Sequence, residues 1–532
     1  MNTLTGTGRL VRFIIRRDRI RLSVWILATV GLMASFAASS KDLYPTPESL
    51  QARGTLMDSP LGAAFSGPRI GLDNYTFGAM LSNEYVGFVA VALGLMSVFL
   101  VVRNTRVEEQ TGRSELVRAA AIGRHAPATA AFTVVVGAQI VLGILIALIL
   151  PGTGLDLSVT GSWLFSAAIV SVGIVFAGVM LVVVQIASHS RTAVGVGSSL
   201  VGLAYVIRAM GDAADSSLSM LSPIGWVQAT RPYVEDEWWP LLLSVGLLVI
   251  LVVGAFALSA RRDFGEGLLA ARPGNAEASP SLTTPLGLAW RLQRGLLVGW
   301  GIGLLALGGS YGGFVSEIQT FASQNPMIEE AMSALGGGTL AESWVSFLGM
   351  FQMGVVASYA VQSTLRLGSE ETELHAEHVL ATPVERWRWM GIHILIALVG
   401  SVILALAAGL GFGLSAGASS GDWAWLGDGM IATLSHVPAV LVVGAVAAAL
   451  FGLGTRFTFL AWVMIAIVWL GLLGVVVGLP EWIGNLSPFG YEAMFPAQDL
   501  EWIPLLVNTL IAVALIAVGV YAYQQRDIRT TG

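Results

Sequence analysis

The chain has 532 residues, of which 55% are hydrophobic and 12% charged, and its formal net charge is −6. Soluble proteins average about 25% charged residues. A deficit this large excludes a soluble globular chain and predicts that the bilayer is the solvent for most of the protein. The absence of cysteine excludes disulfides, thiolate metal sites and cysteine nucleophiles. Lys41 is the only lysine and Asp42 follows it, which excludes a Gly-x-x-x-x-Gly-Lys-Ser/Thr phosphate-binding loop.

Twelve apolar runs follow one another along the chain, each suited to crossing roughly 30 Å of hydrocarbon as a helix. The first run lacks a convincing small-residue cleavage site, so it is predicted to be a retained span and not a signal peptide. The sequence therefore predicts an all-α polytopic membrane protein with twelve transmembrane helices. The predicted spans are residues 22–40, 86–102, 128–150, 163–185, 193–210, 240–259, 296–315, 344–363, 390–414, 431–451, 459–478 and 504–522.

The basic residues predict the orientation of these spans. If the N-terminus is cytoplasmic, most arginines fall in cytoplasmic segments, beginning with a cluster in residues 9–21. Most acidic residues then lie on the opposite side. Twelve spans keep this segregation and place both termini in the cytoplasm. Since the inner face of the membrane accounts for the arginines, no nucleic-acid binding is expected.

An internal repeat is visible when the chain is shifted so that residues 108–124 align with 370–386. The alignment has no gap, and its identical pairs exceed the roughly one expected by chance. The pairs are Glu108/Glu370, Glu109/Glu371, Glu115/Glu377, Val117/Val379, Ala119/Ala381 and Arg124/Arg386. Two further echoes are Leu221–Trp226 with Leu486–Tyr491, and Arg262-Asp263 with Arg526-Asp527.

The repeat predicts two six-span halves, residues 1–270 and 286–532, joined by a cytoplasmic linker, 271–285, that is rich in Pro, Ser, Ala and Gly. Because each half has an even number of spans, both halves enter the membrane from the same side and form parallel pseudo-repeats. Both copies of the acidic segment then lie in the cytoplasm.

The duplicated segment has two possible interpretations. It is compatible with a charged helix, because Glu109 with Arg113 and Glu115 with Arg118 have spacings that bring side chains together. Such a helix could dock a cytoplasmic partner, or the segment could be a solvated loop whose arginines only fix topology. The duplicated glutamates favour docking, since topology needs basic residues.

Residues 9–21 alternate basic and apolar groups, which predicts a helix lying in the inner membrane interface. Residues 286–296 are a weaker version before the second half. A plain positively charged flank of the first span explains the pattern about as well.

With its twelve spans in two halves, an interfacial helix before each half and the repeated acidic segment, the chain resembles the membrane permeases of type-2 ABC exporters. It is most similar to actinobacterial exporters of polyketide antibiotics, including mycobacterial drug-efflux permeases of tetronasin type. The resemblance implies a bacterial plasma-membrane protein that exports hydrophobic drugs. It further implies that Leu221–Trp226 and Leu486–Tyr491 dip back into the outer leaflet.

The same resemblance implies two copies of a separate cytoplasmic ATPase, which would bind ATP and Mg²⁺. They would dock on coupling helices at 105–124 and 367–386, here named the first and second coupling segments. This chain itself would hold no catalytic residue, metal or cofactor. Because Arg113 aligns with His375 and Arg118 with Leu380, the two docking surfaces would be unequal. The expected coupling residues are Glu108, Glu109, Arg113, Glu115, Arg118, Arg124, Glu370, Glu371, Glu377 and Arg386.

The resemblance places the substrate path between spans one, two and five and spans seven, eight and eleven. Aromatic, Met and amide side chains there suit an apolar, adaptable cavity, although each is also explained by helix packing. The candidates are Phe88, Met96, Phe99, Tyr205, Phe351, Gln352, Met353, Tyr359, Gln362, Trp462 and Met464.

The sequence is also compatible with other functions: export of lipids or cell-envelope precursors, proton-coupled transport, or a channel or scaffold. A proton-coupled carrier usually needs a carboxylate within a span, and none of the twelve runs contains Asp or Glu. His393 and His436 lie near span starts and are expected to snorkel to the interface. Arg208 is expected to pair with Asp212, four residues on.

Overall fold

A computed structural model describes residues 3–58, 60–112, 115, 122–261, 267–268, 277–324, 338–477 and 481–527. Within these ranges all regular secondary structure is helical. In the part of the chain that the structure describes, twelve helices are long and apolar enough to cross a membrane, which confirms the predicted all-helical membrane fold. They are α1 Thr7–Leu43, α2 Phe77–Gln110, α3 Ala126–Thr153, α4 Val159–Ile186, α5 Ser190–Ala213, α6 Leu241–Arg261, α7 Pro285–Gln319, α8 Leu340–Thr372, α9 Arg386–Ser420, α10 Ala424–Leu453, α11 Thr455–Leu472 and α12 Trp502–Gln525.

Shorter helical elements connect the spans. The helical turns that continue α7 and α11 end at Gln324 and Val477. The connecting elements are Pro47–Met57, Pro60–Phe65, Leu72–Asn74, Ser217–Leu221, Pro223–Gln228, Pro280–Thr283, His375–Leu380, Glu481–Gly484 and Pro488–Tyr491.

Two spans deviate from regular α geometry. Helix α2 contains π-helical turns at Leu81–Tyr85 and Arg103–Val107. Helix α10 is interrupted at Ser435–His436, because Pro438 lacks an N–H and its ring clashes with the preceding turn. All three irregularities place polar or charged side chains, including Arg106 and His436, inside the protein.

The expected interfacial helices are not separate elements. Residues 9–21 belong to α1, a continuous helix of 37 residues, and 286–296 belong to the continuous helix Pro285–Gly312. Both segments therefore continue into their spans without a break, and their position in the membrane interface stays a prediction. At 1.5 Å per residue α1 is about 55 Å long, well beyond the hydrocarbon thickness.

The chain divides into two compact units, unit 1 (Met1–Gly274) and unit 2 (Asn275–Gly532). In unit 1, α4 is the central helix and packs against α2, α3 and α6. In unit 2, α9 packs against α7 and α8, while α10 packs against α8 and α12. The core of each unit consists mainly of Val, Leu, Ala and Met side chains.

Candidate docking segments and transport path

The first coupling segment begins as the last turns of α2 and is bound to the helix bundle through a buried arginine. The Arg106 side chain is 1% exposed. Its Nε donates to the Val184 carbonyl at 2.7 Å, and its Nη1 lies 2.7 Å from the Glu109 carboxylate. Since a buried guanidinium needs an anion nearby, Glu109 serves first as the counter-ion of the arginine that holds the segment on α4.

A second ionic cluster joins the same segment to α1. The Asp18 carboxylate is fully buried and accepts from Arg103 at 3.1 Å and from Arg17 at 3.2 Å. Arg17 also lies 2.7 Å from Glu108. Helix α1 and the start of the first coupling segment are therefore linked through one shared carboxylate and two arginines.

We expect Asp18→Asn to destabilise unit 1. The change removes the anion that Arg17, Arg21 and Arg103 share, and breaking a buried ion pair costs about 3 kcal/mol. The thermal unfolding temperature of the purified chain should fall by several degrees. The matched control is Asp42→Asn, at the exposed end of the same helix, which should leave it unchanged. Equal unfolding temperatures for the two variants would contradict this role of Asp18.

The far end of the first coupling segment is also anchored. Arg124 donates to the Ser259 carbonyl at 2.7 Å, at the C-terminal end of α6, where a cation complements the helix dipole. The backbone N–H of His125 donates to the Thr3 carbonyl at 3.0 Å. Burial, with the nearby Arg124 charge, lowers the pKa of His125. Glu115 is exposed; the predicted residues Arg113 and Arg118 lie outside the described residues.

The second coupling segment starts within α8 and turns at Leu374, whose φ is 63°. Glu370 lies 3.0 Å from Arg366 and 3.4 Å from His375. The Glu371 carboxylate is almost fully buried and lies 2.5 Å from Arg526, just beyond α12.

Arg386 closes the second coupling segment by donating to the Arg526 backbone carbonyl at 2.8 Å. The Arg526 guanidinium also lies over the Phe451 ring at 4.9 Å. Glu371 and Arg386 thus meet at one residue, while Glu377 is exposed on the short helix between them.

The predicted path residues fall into two groups. One group is partly or largely exposed on the surface of its own unit: Phe88, Phe99, Tyr205, Phe351, Gln362, Trp462 and Met464. The other group is buried within its unit: Met96, Gln352, Met353 and Tyr359. Positions 88 and 99 are three turns apart on one face of α2, and both are exposed there, whereas Met96 is buried.

Within each unit the exposed group forms local contacts. The Phe88 and Tyr205 rings are 6.2 Å apart, so α2 and α5 share an aromatic surface. In unit 2, Phe351 packs edge-on against Trp469 at 5.1 Å. The Gln362 amide oxygen accepts from the Trp300 indole at 3.0 Å.

The segments expected to dip into the outer leaflet fold back against their units. Ser222 donates to the Ala204 carbonyl at 2.7 Å, nine residues before the end of α5 and hence about 13 Å along it. The last aromatic residue of each copy bonds the carbonyl six residues earlier: Trp226 to Met220 and Tyr491 to Asn485, at 2.5 and 2.9 Å. These bonds explain why both motifs end in an aromatic residue that can donate a hydrogen bond. The position of the two motifs in the outer leaflet stays a prediction.

Comparison with known proteins gives two consistent matches. The family model for the C-terminal domain of the multidrug efflux system permease Rv1217c matches residues 282–524. The multidrug efflux system permease protein Rv1217c of Mycobacterium tuberculosis (strain ATCC 25618 / H37Rv) is 37% identical over 531 residues, which cover 99% of this chain and 96% of that protein. The chain belongs to the Rv1217c multidrug efflux permease family. The membrane-permease class that the resemblance implied is therefore confirmed, while the tetronasin-type group stays a prediction.

The permease also contains buried polar groups that the sequence did not reveal. His436 and Glu492 are buried in unit 2, with Nδ1 and a carboxylate oxygen 3.1 Å apart, and Asn508 donates to the same carboxylate at 2.8 Å. His393 is buried against Gln293 at 3.0 Å. The expected snorkelling of both histidines is wrong, because each has a hydrogen-bond partner inside the bundle.

The ion pair expected for Arg208 is confirmed at 3.4 Å from Asp212, with both side chains buried. The anchors Asp18, Arg106, Arg366 and Arg526 were missed. One of these anchors could have been found from the sequence: Arg106 precedes Glu109 by three residues, a spacing that brings two side chains together on a helix. Among the described residues, no group of three or more His, Asp or Glu could hold a metal ion.

Proposed function

We propose that this permease is the membrane subunit of an ABC-type exporter that moves hydrophobic drugs out of a bacterial cell across the plasma membrane. Two copies of a separate cytoplasmic ATPase, which bind ATP and Mg²⁺, would dock on the two coupling segments. The observation that carries this proposal is the matching pair of segments, each anchored by buried charges and each presenting an exposed glutamate, Glu115 or Glu377.

The anchors support a lever role for these segments. Glu109 and Glu371 are bound internally to Arg106 and Arg526, so they are better suited to transmitting a force than to contacting a partner. The contacts that join the segments to other helices are those of Arg106 with the Val184 carbonyl, Arg17 with Glu108 and Arg526 with Glu371. A segment held by these contacts cannot move without moving the spans to which it is bound. Movement of a docked ATPase would then be passed to α2 and α8.

Equivalent contacts support two parallel halves, residues 1–270 and 286–532. Arg124 and Arg386 align in the repeat, and each donates to a carbonyl at the end of the last helix of its unit. The compact units divide at 274/275, inside the proposed linker 271–285. With both termini cytoplasmic, the two coupling segments lie on the same side of the membrane.

The substrate path would use the exposed aromatic faces of α2 with α5 and of α8 with α11. Phe88, Phe99 and Phe351 offer apolar ring surface, and Gln362 adds one amide. Such a lining suits hydrophobic compounds of varied shape, polyketide antibiotics among them. Lipid or cell-envelope precursors would bind to the same apolar surface. Transport assays with a labelled drug and a labelled lipid precursor distinguish the two substrate classes.

The docking proposal is tested by measuring turnover of a soluble ABC ATPase co-expressed with the permease. We expect the ATPase to co-purify and its turnover to depend on the permease. Glu115→Arg with Glu377→Arg should lower the affinity of the complex about tenfold or more, because charge reversal at an interface costs upwards of about 1.4 kcal/mol. The matched control is Glu501→Arg, at the exposed start of α12, which should bind the ATPase like the wild type.

Loss of binding in the control, or full binding in the double variant, would contradict docking at these segments. The test also separates docking by the exposed glutamates from force transmission by the buried ones. Glu371→Gln should leave ATPase binding intact and reduce the amount of drug transported per ATP hydrolysed.

One observation favours a second candidate function, proton-coupled export. Glu492 is a buried carboxylate beside a histidine, which is a typical feature of proton carriers. Reconstituted vesicles distinguish the two. The ABC-type proposal expects drug transport with ATP when an ionophore has removed the proton gradient; the alternative expects transport with an imposed gradient and no ATP.

A further inference from the structure

A cavity of about 580 Å³ lies at the end of unit 1 opposite the first coupling segment. It is an open cavity lined by the turn that follows α1, by residues 74–78 at the start of α2, by residues 155–158 before α4, and by Tyr233. It has the volume of a small-molecule site. None of the path residues proposed above lines it, so it is distinct from that path.

Four aromatic side chains line the cavity beside proline, leucine and polar residues: Tyr44, Tyr75, Phe77 and Tyr233. The hydroxyls of two of these tyrosines are bound elsewhere. Tyr75 donates to Glu84 at 2.8 Å, and Tyr233 donates to Ser162 at 3.1 Å. With the hydroxyls fixed by these bonds, the rings are held in place as walls.

The backbone around Tyr233 is built to hold its ring in this position. Tyr233 has a φ of 67°, a conformation that is costly for a bulky residue. Its N–H donates to the Asp236 side chain at 2.8 Å, which stabilises the turn. A Cβ at Gly161 would lie 2.3 Å from the Tyr233 ring, and one at Gly78 would lie 2.6 Å from its Cβ. Glycine at both positions leaves room for the tyrosine.

The charge of the lining is negative. Asp156 lines the cavity and is exposed, and neither lysine nor arginine is among the described lining residues. Burial raises the pKa of Tyr233, and burial together with the Glu84 carboxylate raises the pKa of Tyr75. Both phenols therefore stay neutral at physiological pH, and the Asp156 carboxylate sets the sign of the charge in the cavity.

Of the nearby basic residues, Arg53 and Arg231 are paired with carboxylates, whereas Lys41, which does not line the cavity, binds a neutral backbone carbonyl. Arg53 binds Glu84 at 2.7 Å, and Arg231 binds Glu235 at 2.6 Å. Burial disfavours the charge of Arg53, but the Glu84 carboxylate outweighs that effect and raises the pKa of Arg53, so Arg53 stays charged. Lys41 donates to the Gly154 carbonyl at 3.4 Å.

We propose that this cavity binds an organic cation with an aromatic body. Tyrosine and phenylalanine faces attract cations through the ring quadrupole, and the aromatic body stacks on the remaining wall. Asp156 adds a long-range attraction that a neutral ligand would not feel. The inference does not depend on the export mechanism, since binding needs neither ATPase nor gradient.

Ethidium binding to the purified full chain in nanodiscs tests the proposal by fluorescence anisotropy, with empty nanodiscs as background. Asp156→Asn keeps the shape of the side chain and removes its negative charge. It should weaken ethidium binding about threefold to fivefold. Tyr233→Leu keeps an apolar side chain without a ring face and should weaken it about tenfold. Nile red, a neutral dye, should bind Asp156→Asn as it binds the wild type.

Asp215→Asn is the matched control, because Asp215 is another exposed aspartate with positive φ in unit 1 and does not line the cavity. It should leave ethidium affinity unchanged. If Asp156→Asn binds ethidium as tightly as the wild type, or loses ethidium and Nile red equally, the proposal is wrong whatever Tyr233→Leu does. Failure of the ATPase experiments would leave this result unaffected.

Discussion

Replacing Gly312 by valine should prevent unit 2 from folding. Helices α7 and α9 approach so closely that their backbones touch: a Cβ on Gly312 would lie 2.2 Å from the Phe412 carbonyl oxygen, and one on Gly308 would lie 2.5 Å from that of Ala408. Gly411 on α9 is equally close, with a Cβ position 2.3 Å from the Leu305 carbonyl. Small residues four apart permit such contact between membrane helices.

The size of the effect follows from the atoms that obstruct the new side chain. Overpacking a core usually costs about 1–3 kcal/mol when side chains can shift. Here the obstacles are carbonyl groups of α9, so the helices must separate along the whole contact. We expect a cost above about 3 kcal/mol and loss of the monodisperse peak in size-exclusion chromatography.

Gly303→Val is the matched control for this prediction. Gly303 lies on the same helix, and a Cβ there would meet nothing within 4 Å. This variant should be expressed and unfold like the wild type. A well-folded Gly312→Val variant, or a misfolded Gly303→Val variant, would contradict the proposed packing of α7 on α9.

Replacing Glu492 by valine should have the second-largest effect. The repeat places Val227 at the corresponding position of unit 1, directly after the motif that ends in Trp226. In unit 2 the Glu492 carboxylate accepts from Asn508 and lies 3.1 Å from His436. Valine would remove the shared acceptor and leave two buried polar side chains without it. Losing one member of such a cluster costs about 3 kcal/mol.

Thermal unfolding of the purified permease measures this effect. The double variant Glu492→Val with His436→Leu should recover part of the loss, because it no longer buries an imidazole that lacks its partner. Glu501→Val, at an exposed position, is the control and should unfold like the wild type. An unchanged unfolding temperature for Glu492→Val would show that the cluster does not stabilise the fold.

Composition and apolar periodicity determined the membrane class and the twelve spans, because a helix in hydrocarbon must be apolar along about 20 residues whatever it packs against. The self-alignment likewise found the two duplicated acidic segments, because it compares the order of residues along the chain; their coupling role stays a prediction. The same reasoning located the foldback motifs at Leu221–Trp226 and Leu486–Tyr491, since their Ser-Pro step and terminal aromatic residue act locally.

Partnerships between distant residues were decided by the tertiary structure alone. Nothing in the local sequence connects Asp18 with Arg103, Glu371 with Arg526, or Glu492 with His436. Glu492 lies between α11 and α12, outside the apolar runs. It is buried only because that segment folds back, so hydropathy does not reveal it. Side-chain burial and ion pairing depend on which helices become neighbours, and hydropathy along the chain carries no information about that choice.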